Sequence, residues 1–528
     1  MRVGIAQIDT RIGDFGGNVR RIVRASQIAG EAGAELCVFP ELSVTGYPPR
    51  DLLCDPAFVD AAAAAVAEVA EATRALVPLV LGSVLASGEA TPGHPGLHDA
   101  ALLLEGGRVR HRVAKRLLPA FDVFHEPRWF VPGPPCEPVE VGGRKLGLLV
   151  CEDLWDEGYP LSPGAELEAA GAELLVCISA SPYRVGVFEQ RLGQTRRRRV
   201  PVVYVNACGA NDELIFDGGS FVTRDGQLLT RLPRFAESVT VVDTGAPPEE
   251  VETQPVEHEM FQALVSGVRG FARKNGLGRA FLGLSGGIDS SLVACIAKEA
   301  LGAERVTAIA MPSRYSDPRS TQCAEQLASA LGIELVAHPI ESLHGALEHD
   351  LGAVMGERDS LVAENLQARL RAMILMAHVN RRGGLLLNTS NKTELALGYG
   401  TLYGDMAGTL AVIGDVTKPD VYRLARHYDG GRGVIPAFVF ERAPSAELRP
   451  DQVDPFDYAR VSPILEALVT GSPLPPGTLP EEATHLASQL RAAEHKRWQA
   501  GIVLKLSEKS FGTGRMLPVT QFRTPLGG

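Results

Sequence analysis

Short apolar runs alternate with longer amphipathic stretches from one end of this chain to the other. An apolar run bounded by turn residues reads as a buried strand; apolar positions three and four residues apart read as a helix. The first half accordingly predicts strands over residues 3–8, 36–39, 79–84, 146–150, 174–179 and 202–206, with helices over 18–32 and 58–76. Two hairpins are predicted, 100–105 with 109–112 turning at Gly106-Gly107, and 218–223 with 228–232 turning at Asp225-Gly226. Residues 246–259 are rich in Pro and Glu and lack periodicity, which marks a linker. The pattern restarts with a helix over 260–275, a strand–loop–helix unit over 280–299, strands over 306–311, 335–339 and 384–388, and a helix over 364–378. A Pro-rich stretch at 471–480 precedes a helical, basic tail. The fold class is therefore α/β: a layered sandwich over 1–245 and a doubly wound parallel sheet over 260–528.

A length of 528 residues suits two such domains. The net charge of -11 argues against general nucleic-acid binding. The one basic cluster, Arg196 to Arg199, reads as a solvated helix end ahead of a strand. Eight cysteines are scattered without a CxxC pair, and Cys37, Cys177 and Cys208 sit in apolar runs as small core residues. Neither a disulfide framework nor a zinc site is predicted. The sequence begins on a strand without a leader pattern, and no apolar helical stretch reaches membrane-spanning length, so a cytoplasmic protein is expected.

Chemistry concentrates where apolar runs end. Glu41 follows Cys37-Val38-Phe39-Pro40, Lys115 follows Val113-Ala114, and Cys151 follows Leu148-Leu149-Val150. Strand ends are where α/β folds place reactive groups. A cysteine nucleophile needs a base to make its thiolate and a donor for the oxyanion, and these three residue types supply that set. In the second half, Gly283-Leu284-Ser285-Gly286-Gly287-Ile288-Asp289-Ser290-Ser291 follows an apolar run and opens onto a helix. No Gly-Lys-Ser/Thr follows, so this is not a Walker A loop. Its glycines let backbone N–H groups approach phosphates at a helix start, Ser285 and Ser290 add donors, and Asp289 suits a Mg²⁺ ion bridging the phosphates.

The strings Phe39-Pro40-Glu41-Leu42, Thr45-Gly46-Tyr47-Pro48, Lys115-Arg116-Leu117-Leu118-Pro119 and Cys151-Glu152-Asp153 resemble the carbon–nitrogen hydrolase (nitrilase) superfamily. That resemblance implies an α-β-β-α sandwich, with Glu41 as general base, Lys115 as oxyanion stabiliser, Cys151 as nucleophile and Glu126 as a second glutamate beside them. For glutamine-using members it implies substrate contacts at Tyr47, Phe121 and Ser181. Members often carry a basic residue six positions after that serine. Here Val187 stands there, with Arg184 and Arg191 the nearby candidates for the missing contact.

The loop at Ser285 resembles that of the ATP pyrophosphatase (PP-loop) group. With it stand Glu364-Asn365-Leu366-Gln367-Ala368-Arg369, Asn388-Thr389-Ser390-Asn391-Lys392-Thr393-Glu394, Gly398-Tyr399-Gly400-Thr401-Leu402-Tyr403-Gly404-Asp405 and Asp415-Val416-Thr417-Lys418. Together these resemble the NAD⁺ synthetase family, and with the first half its glutamine-dependent branch. The resemblance implies ATP binding by the loop with Met311, Thr389 and Lys418, and Mg²⁺ on Asp289 and Glu394. It implies deamido-NAD⁺ contacts at Asn365, Arg369, Glu394, Asp405 and Lys509, with Lys505 beside the last. Expected small-molecule partners are deamido-NAD⁺, ATP and L-glutamine, in a homo-oligomer with a dimeric synthetase core or an octamer. The rival readings are another PP-loop amidotransferase, or an amidase carrying a regulatory nucleotide-binding domain.

Overall fold

The computed structural model of the chain describes residues 1–355 and 361–521. They fall into two compact units, Met1–Thr253 and Gln254–Gly528.

In the first unit two six-stranded sheets pack face to face. One runs in the order Ser238–Asp243, Arg2–Gln7, Leu36–Val38, Leu79–Ala86, Leu97–Glu105, Arg108–Ala114. The other runs Gln227–Arg231, Phe221–Arg224, Val202–Asn206, Leu174–Ser179, Arg144–Val150, Val139–Val141. Alternation along each strand sorts its side chains between two cores. Leu36 and Val38 join Leu146, Leu148, Val150 and Val176 in the apolar layer between the sheets. Cys37 points the other way, into the layer beneath the helices Phe15–Glu31 and Pro56–Ala72. Leu149 likewise leaves the central layer for the outer face, where it packs with Phe188 and Leu192 of the helix Val187–Thr195. The result is the α-β-β-α sandwich that the resemblance implied.

Some elements differ from the sequence reading. Ser238–Asp243 pairs antiparallel with the first strand, from Arg2 opposite Asp243 to Gln7 opposite Ser238. Cys208–Asn211 and Leu214–Asp217 form a hairpin of their own ahead of the expected one. The first helix of the second unit, Val256–Lys274, begins inside the stretch read as linker. The arginine cluster is not wholly solvated: Arg198 is buried, its guanidinium 2.6 Å from Asp156.

The second unit holds a six-stranded sheet in the order Glu334–Ala337, Val306–Ala310, Ala280–Gly283, Leu385–Asn388, Leu410–Ala411, Ile502–Val503, every pair parallel. From Ala280–Gly283 the chain builds outward through two strands on one side, then returns to build the other side from Leu385–Asn388. These two neighbours form the switch point, where loops leave in opposite directions and open a crevice. The tail is helical over Pro480–Ala492 as expected, but its end returns to the sheet as Ile502–Val503.

One glycine ties the first unit's sheet to its chemistry. The N–H of Gly82 donates to the Pro40 carbonyl at 3.2 Å, and its carbonyl accepts from Val44 N at 3.2 Å. The Pro40–Val44 segment therefore lies directly on this strand, and a Cβ at residue 82 would stand 2.7 Å from the Glu41 carbonyl carbon. Gly82→Ala should destabilise the protein by about 1–3 kcal/mol, as overpacking against backbone does. Gly30→Ala, in a helix with nothing near its new methyl, should gain roughly 0.5–1 kcal/mol. Chemical denaturation of both variants beside the unmodified protein checks the contrast.

Candidate functional site

The first unit gathers its polar residues at the C-terminal ends of strands. The strand Arg144–Val150 runs straight into a tight turn, Cys151–Leu154, and Cys151 sits at φ 46°. A non-glycine residue in that left-handed region is uncommon and costs backbone strain, which here turns the thiol out of the strand. Asp153 holds the turn in place. One of its oxygens accepts from Arg116 N at 2.9 Å and Leu117 N at 3.0 Å, the other from Val150 N at 3.2 Å. A single carboxyl group thereby fastens the cysteine turn to the segment that carries Lys115.

Lys115 is fully buried, and its Nζ lies 2.7 Å from Glu41 Oε1 and 2.7 Å from Glu126 Oε1. The other oxygen of Glu41 accepts from Ala180 N at 2.7 Å, which ties it to the loop after Leu174–Ser179. Tyr47 Oη stands 3.4 Å from Glu126 Oε1. The electrostatics follow from burial and from this one ammonium. Burial alone would lift Glu41, but the Lys115 charge, the neighbouring Asp99 side chain and the hydrogen bonds from Lys115 and Ala180 hold it below the usual carboxylate range. Burial pushes Glu126 up to about 7 despite Lys115. Burial would lower Lys115, yet Glu126 and Glu41 together raise it, so it stays charged. Cys151 is raised well above an ordinary thiol, by burial first and by Glu41 second. The resting group is a neutral thiol next to an ionised carboxylate, which is the arrangement a general base needs.

Of the expected glutamine contacts, Tyr47 and Ser181 are buried at this site, whereas Phe121 is 56 % exposed and packs edge-on to Phe124 at 5.6 Å. Arg191 is the most constrained of the two basic candidates. It is fully buried, donating to Asp217 Oδ1 at 2.8 Å, Ser181 O at 2.8 Å and Ser181 Oγ at 3.2 Å. It holds Ser181 from behind and is spent on that contact. Arg184 is half-buried and donates to Gln190.

In the second unit the two switch-point loops meet. Gly286 has φ 78°, and a Cβ there would come within 2.7 Å of the Ser320 carbonyl carbon. The glycine thus lets the loop bend under that backbone. Ser285 Oγ lies 3.1 Å from Ser290 Oγ and accepts from Gly287 N at 3.2 Å. The helix Ile288–Leu301 starts here without a side-chain cap, which leaves its first N–H groups for an anion. From the neighbouring loop, Asn391 Nδ2 donates to Asp289 Oδ1 at 2.9 Å, and Asn391 forms a reciprocal capping pair with Glu394. Lys418 closes the group, its Nζ 2.6 Å from Asp289 Oδ2, 3.2 Å from Glu394 Oε1 and 5.2 Å from the centre of the Tyr458 ring.

These residues open on a cavity of about 590 Å³. Gly283, Leu284, Ser285, Gly287, Ile288, Asp289, Ser290, Met311, Asn365, Arg369, Thr389, Glu394, Asp405 and Lys418 all line it. Lys509 and Lys505 are not among the lining residues. Lys505 instead donates to the carbonyls of Ser507 and Glu508 at 2.9 and 2.8 Å, and the Lys509 carbonyl accepts from Lys392 at 3.0 Å. Sequence reasoning missed Arg371, Arg442 and Lys496, which also line the cavity, and gave no role to Glu447, which lines it too. Arg371 lies on the same helix as Asn365 and Arg369, seven residues after Glu364 and so on the face of that residue, which also lines the cavity. Lys496 donates to the carbonyls of Gly398 and Gly400 at 2.8 Å each, and nothing in its basic surroundings distinguished it. Asp289 and Glu394 fit a hard divalent cation. Both offer carboxylate oxygens, and burial pushes Glu394 up to about 7 even with Lys418 alongside, so the group is short of positive charge.

The family profile described as carbon-nitrogen hydrolase matches residues 2–245, and that described as NAD synthase matches residues 260–500. The chain is 38 % identical over 556 residues to a glutamine-dependent NAD(+) synthetase of Synechocystis sp., covering 99 % of both sequences. It is 37 % identical over 587 residues to one from Thermotoga maritima, covering both in full. Among solved structures, the glutamine-dependent NAD⁺ synthetase of Acinetobacter baumannii, in complex with ADP, matches with a TM-score of 0.78 and 30 % identity, covering 100 % of this chain and 99 % of that one.

The state of Glu126 has a measurable consequence. Its carboxyl is raised from 4.5 to about 7 in the fold, so the stability tied to its bound proton is full below about 4.5 and is lost as pH rises through about 7. Glu126→Gln keeps an acceptor for Lys115 while removing that ionisation. Its unfolding temperature should exceed that of the unmodified protein at pH 8, and the advantage should vanish at pH 4.5. Thermal unfolding at the two pH values decides it.

Proposed function

The chain belongs to the glutamine-dependent NAD(+) synthetase family, and from that premise we propose how its own residues convert deamido-NAD⁺, ATP and glutamine to NAD⁺, AMP, pyrophosphate and glutamate. The observation that carries the reading is a buried ammonium–carboxylate cluster beside a thiol in one unit and a second, beside a phosphate-shaped loop, in the other.

In the first unit Glu41 takes the Cys151 proton as sulfur attacks the glutamine carboxamide. The oxyanion is met by the Lys115 ammonium and the backbone N–H of Glu152; one donor of this kind is worth about 3 kcal/mol. Glu41 returns its proton to the departing ammonia. Water, oriented by Glu126, then clears the glutamyl thioester. Tyr47 and Ser181, the latter braced by Arg191, hold the glutamine.

In the second unit the Ser285–Ser290 loop and the start of its helix receive the ATP phosphates, with Met311 near the adenine and Thr389 on the nucleotide. Asn365, Arg369 and Asp405 orient deamido-NAD⁺ so that its carboxylate meets the α-phosphate. Pyrophosphate leaves, and ammonia displaces AMP from the resulting adenylate. Lys418 neutralises phosphate charge where anionic reactants meet. Asp289 and Glu394 are the residues that would hold Mg²⁺, which supplies further neutralisation of the triphosphate when bound.

Two variants test the assignment. Cys151→Ala should lose glutamine-driven NAD⁺ formation by at least about 10³-fold and retain the reaction driven by ammonium. Asp289→Asn should lower both by on the order of 10²-fold. Chromatographic measurement of NAD⁺, AMP and pyrophosphate with each nitrogen source reads both outcomes. Glutamine-driven synthesis that survives in Cys151→Ala would sink the thiol assignment.

A further inference from the structure

One carboxyl group in the first unit's site has no task in the reaction above. Asp99 lies in the strand Leu97–Glu105, and its carbonyl accepts from Lys115 N at 2.7 Å. Its side chain is fully buried, and its nearer oxygen stands 3.8 Å from Lys115 Nζ, beyond hydrogen-bonding distance. The ammonium spends its bonds on Glu41 and Glu126 instead. As an acceptor, neither oxygen of Asp99 has a donor among the described residues. Yet oxygens of Asp99, Glu41 and Glu126 lie within 4.8 Å of one another.

An ionised carboxylate can only accept hydrogen bonds, and burying one without a donor is heavily penalised. Three ionised carboxylates around one ammonium would also leave two uncompensated negative charges in a dry pocket. A protonated Asp99 removes both difficulties, because the acid has a proton to give and Glu41 is the anion beside it. We propose that Asp99 is a positioning residue that stays protonated and donates its acid proton to the Glu41 carboxylate, holding the base ionised and aimed at the thiol. The inference rests on the reading of Glu41 as the base.

The electrostatics agree. Burial first, and the Glu41 charge second, push Asp99 well above the carboxylate range, while Glu41 is held below it in part by this hydrogen bond. The titratable groups facing the pair are Lys115, Glu126, Cys151, Glu152, Cys177 and Tyr47. A donor that favours charged Glu41 also favours the return of the borrowed proton to the leaving amine.

The sign of a pH shift separates this from an ionised Asp99. In glutamate release by the full chain, Asp99→Ala should lower kcat/KM at least about tenfold, part of the roughly 10²–10⁴-fold that a positioned base contributes. Its acid limb should move to higher pH, because Glu41 has lost a donor. Asp99→Asn, which still donates but cannot ionise, should recover most of the rate and bring the limb back. A limb that stays in place or moves lower in Asp99→Ala overturns the proposal, since removing a negative charge would lower it. Infrared difference spectra above pH 8, where Glu126 has ionised, should show a neutral-acid carbonyl stretch that Asp99→Asn lacks; a band that persists in that variant also overturns it. Ammonium-driven synthesis in each variant reports an intact fold. Glutamine-driven activity surviving in Glu41→Gln would instead remove the base, leaving the infrared result to stand alone.

Discussion

A single buried ammonium organises the first unit. Lys115 is fully buried, and two glutamates share it at hydrogen-bonding distance. In such a place a charge survives only if another compensates it. The strands that deliver Glu41, Lys115 and Cys151 come from two different sheets, so the pocket exists only when both sheets have packed. Burial pushes all three acids the same way, and their partners separate them. The Lys115 charge and hydrogen bonds leave Glu41 ionised, while burial still wins at Glu126, lifting it toward neutrality, and at the thiol, which keeps its proton until a base takes it. Environments that push like groups apart are how one site acquires distinct acid and base roles.

The second unit solves a related problem with the charge pattern reversed in purpose. Lys418 bridges Asp289 and Glu394 in the wall of a large cavity rather than in a sealed pocket. Here the anions to be managed arrive with the substrates. The parallel sheet sets this up: its switch point brings the loop after Ala280–Gly283 beside the loop after Leu385–Asn388, and Asn391 joins them through Asp289.

What was legible in the sequence follows from these constraints. Glu41, Lys115 and Cys151 could be found because each ends an apolar run, and α/β folds carry chemistry at strand ends. The PP-loop could be found because a glycine pair between strand and helix has few other uses. Asp99 could not, because a lone acidic residue within an alternating strand looks like a solvent-facing position. Asp153 was visible only as part of a motif; of the three backbone N–H groups it holds, two lie 36 and 37 residues away in sequence. Ser238–Asp243 escaped because it is a half-exposed edge strand, and Leu410–Ala411 and Ile502–Val503 are too short to carry any period. Arg191 was weighed as a substrate contact because its charge is plain in the sequence, whereas its burial against Asp217 is not.

The pairing of the edge strands sets an order of assembly. Arg2–Gln7 is made long before its antiparallel partner, Ser238–Asp243, the last described strand of its unit. Leu410–Ala411 likewise waits for Ile502–Val503, and Asp415 for the backbone N–H groups of Leu506 and Ser507. Each unit is thus latched by its own final strand, a long-range contact whose loop must close before it can be rewarded. A ribosome-bound chain can finish the first sheet while the second remains open, and a chain released early, short of residue 502, carries a finished glutaminase fold and a synthetase sheet with a bare edge.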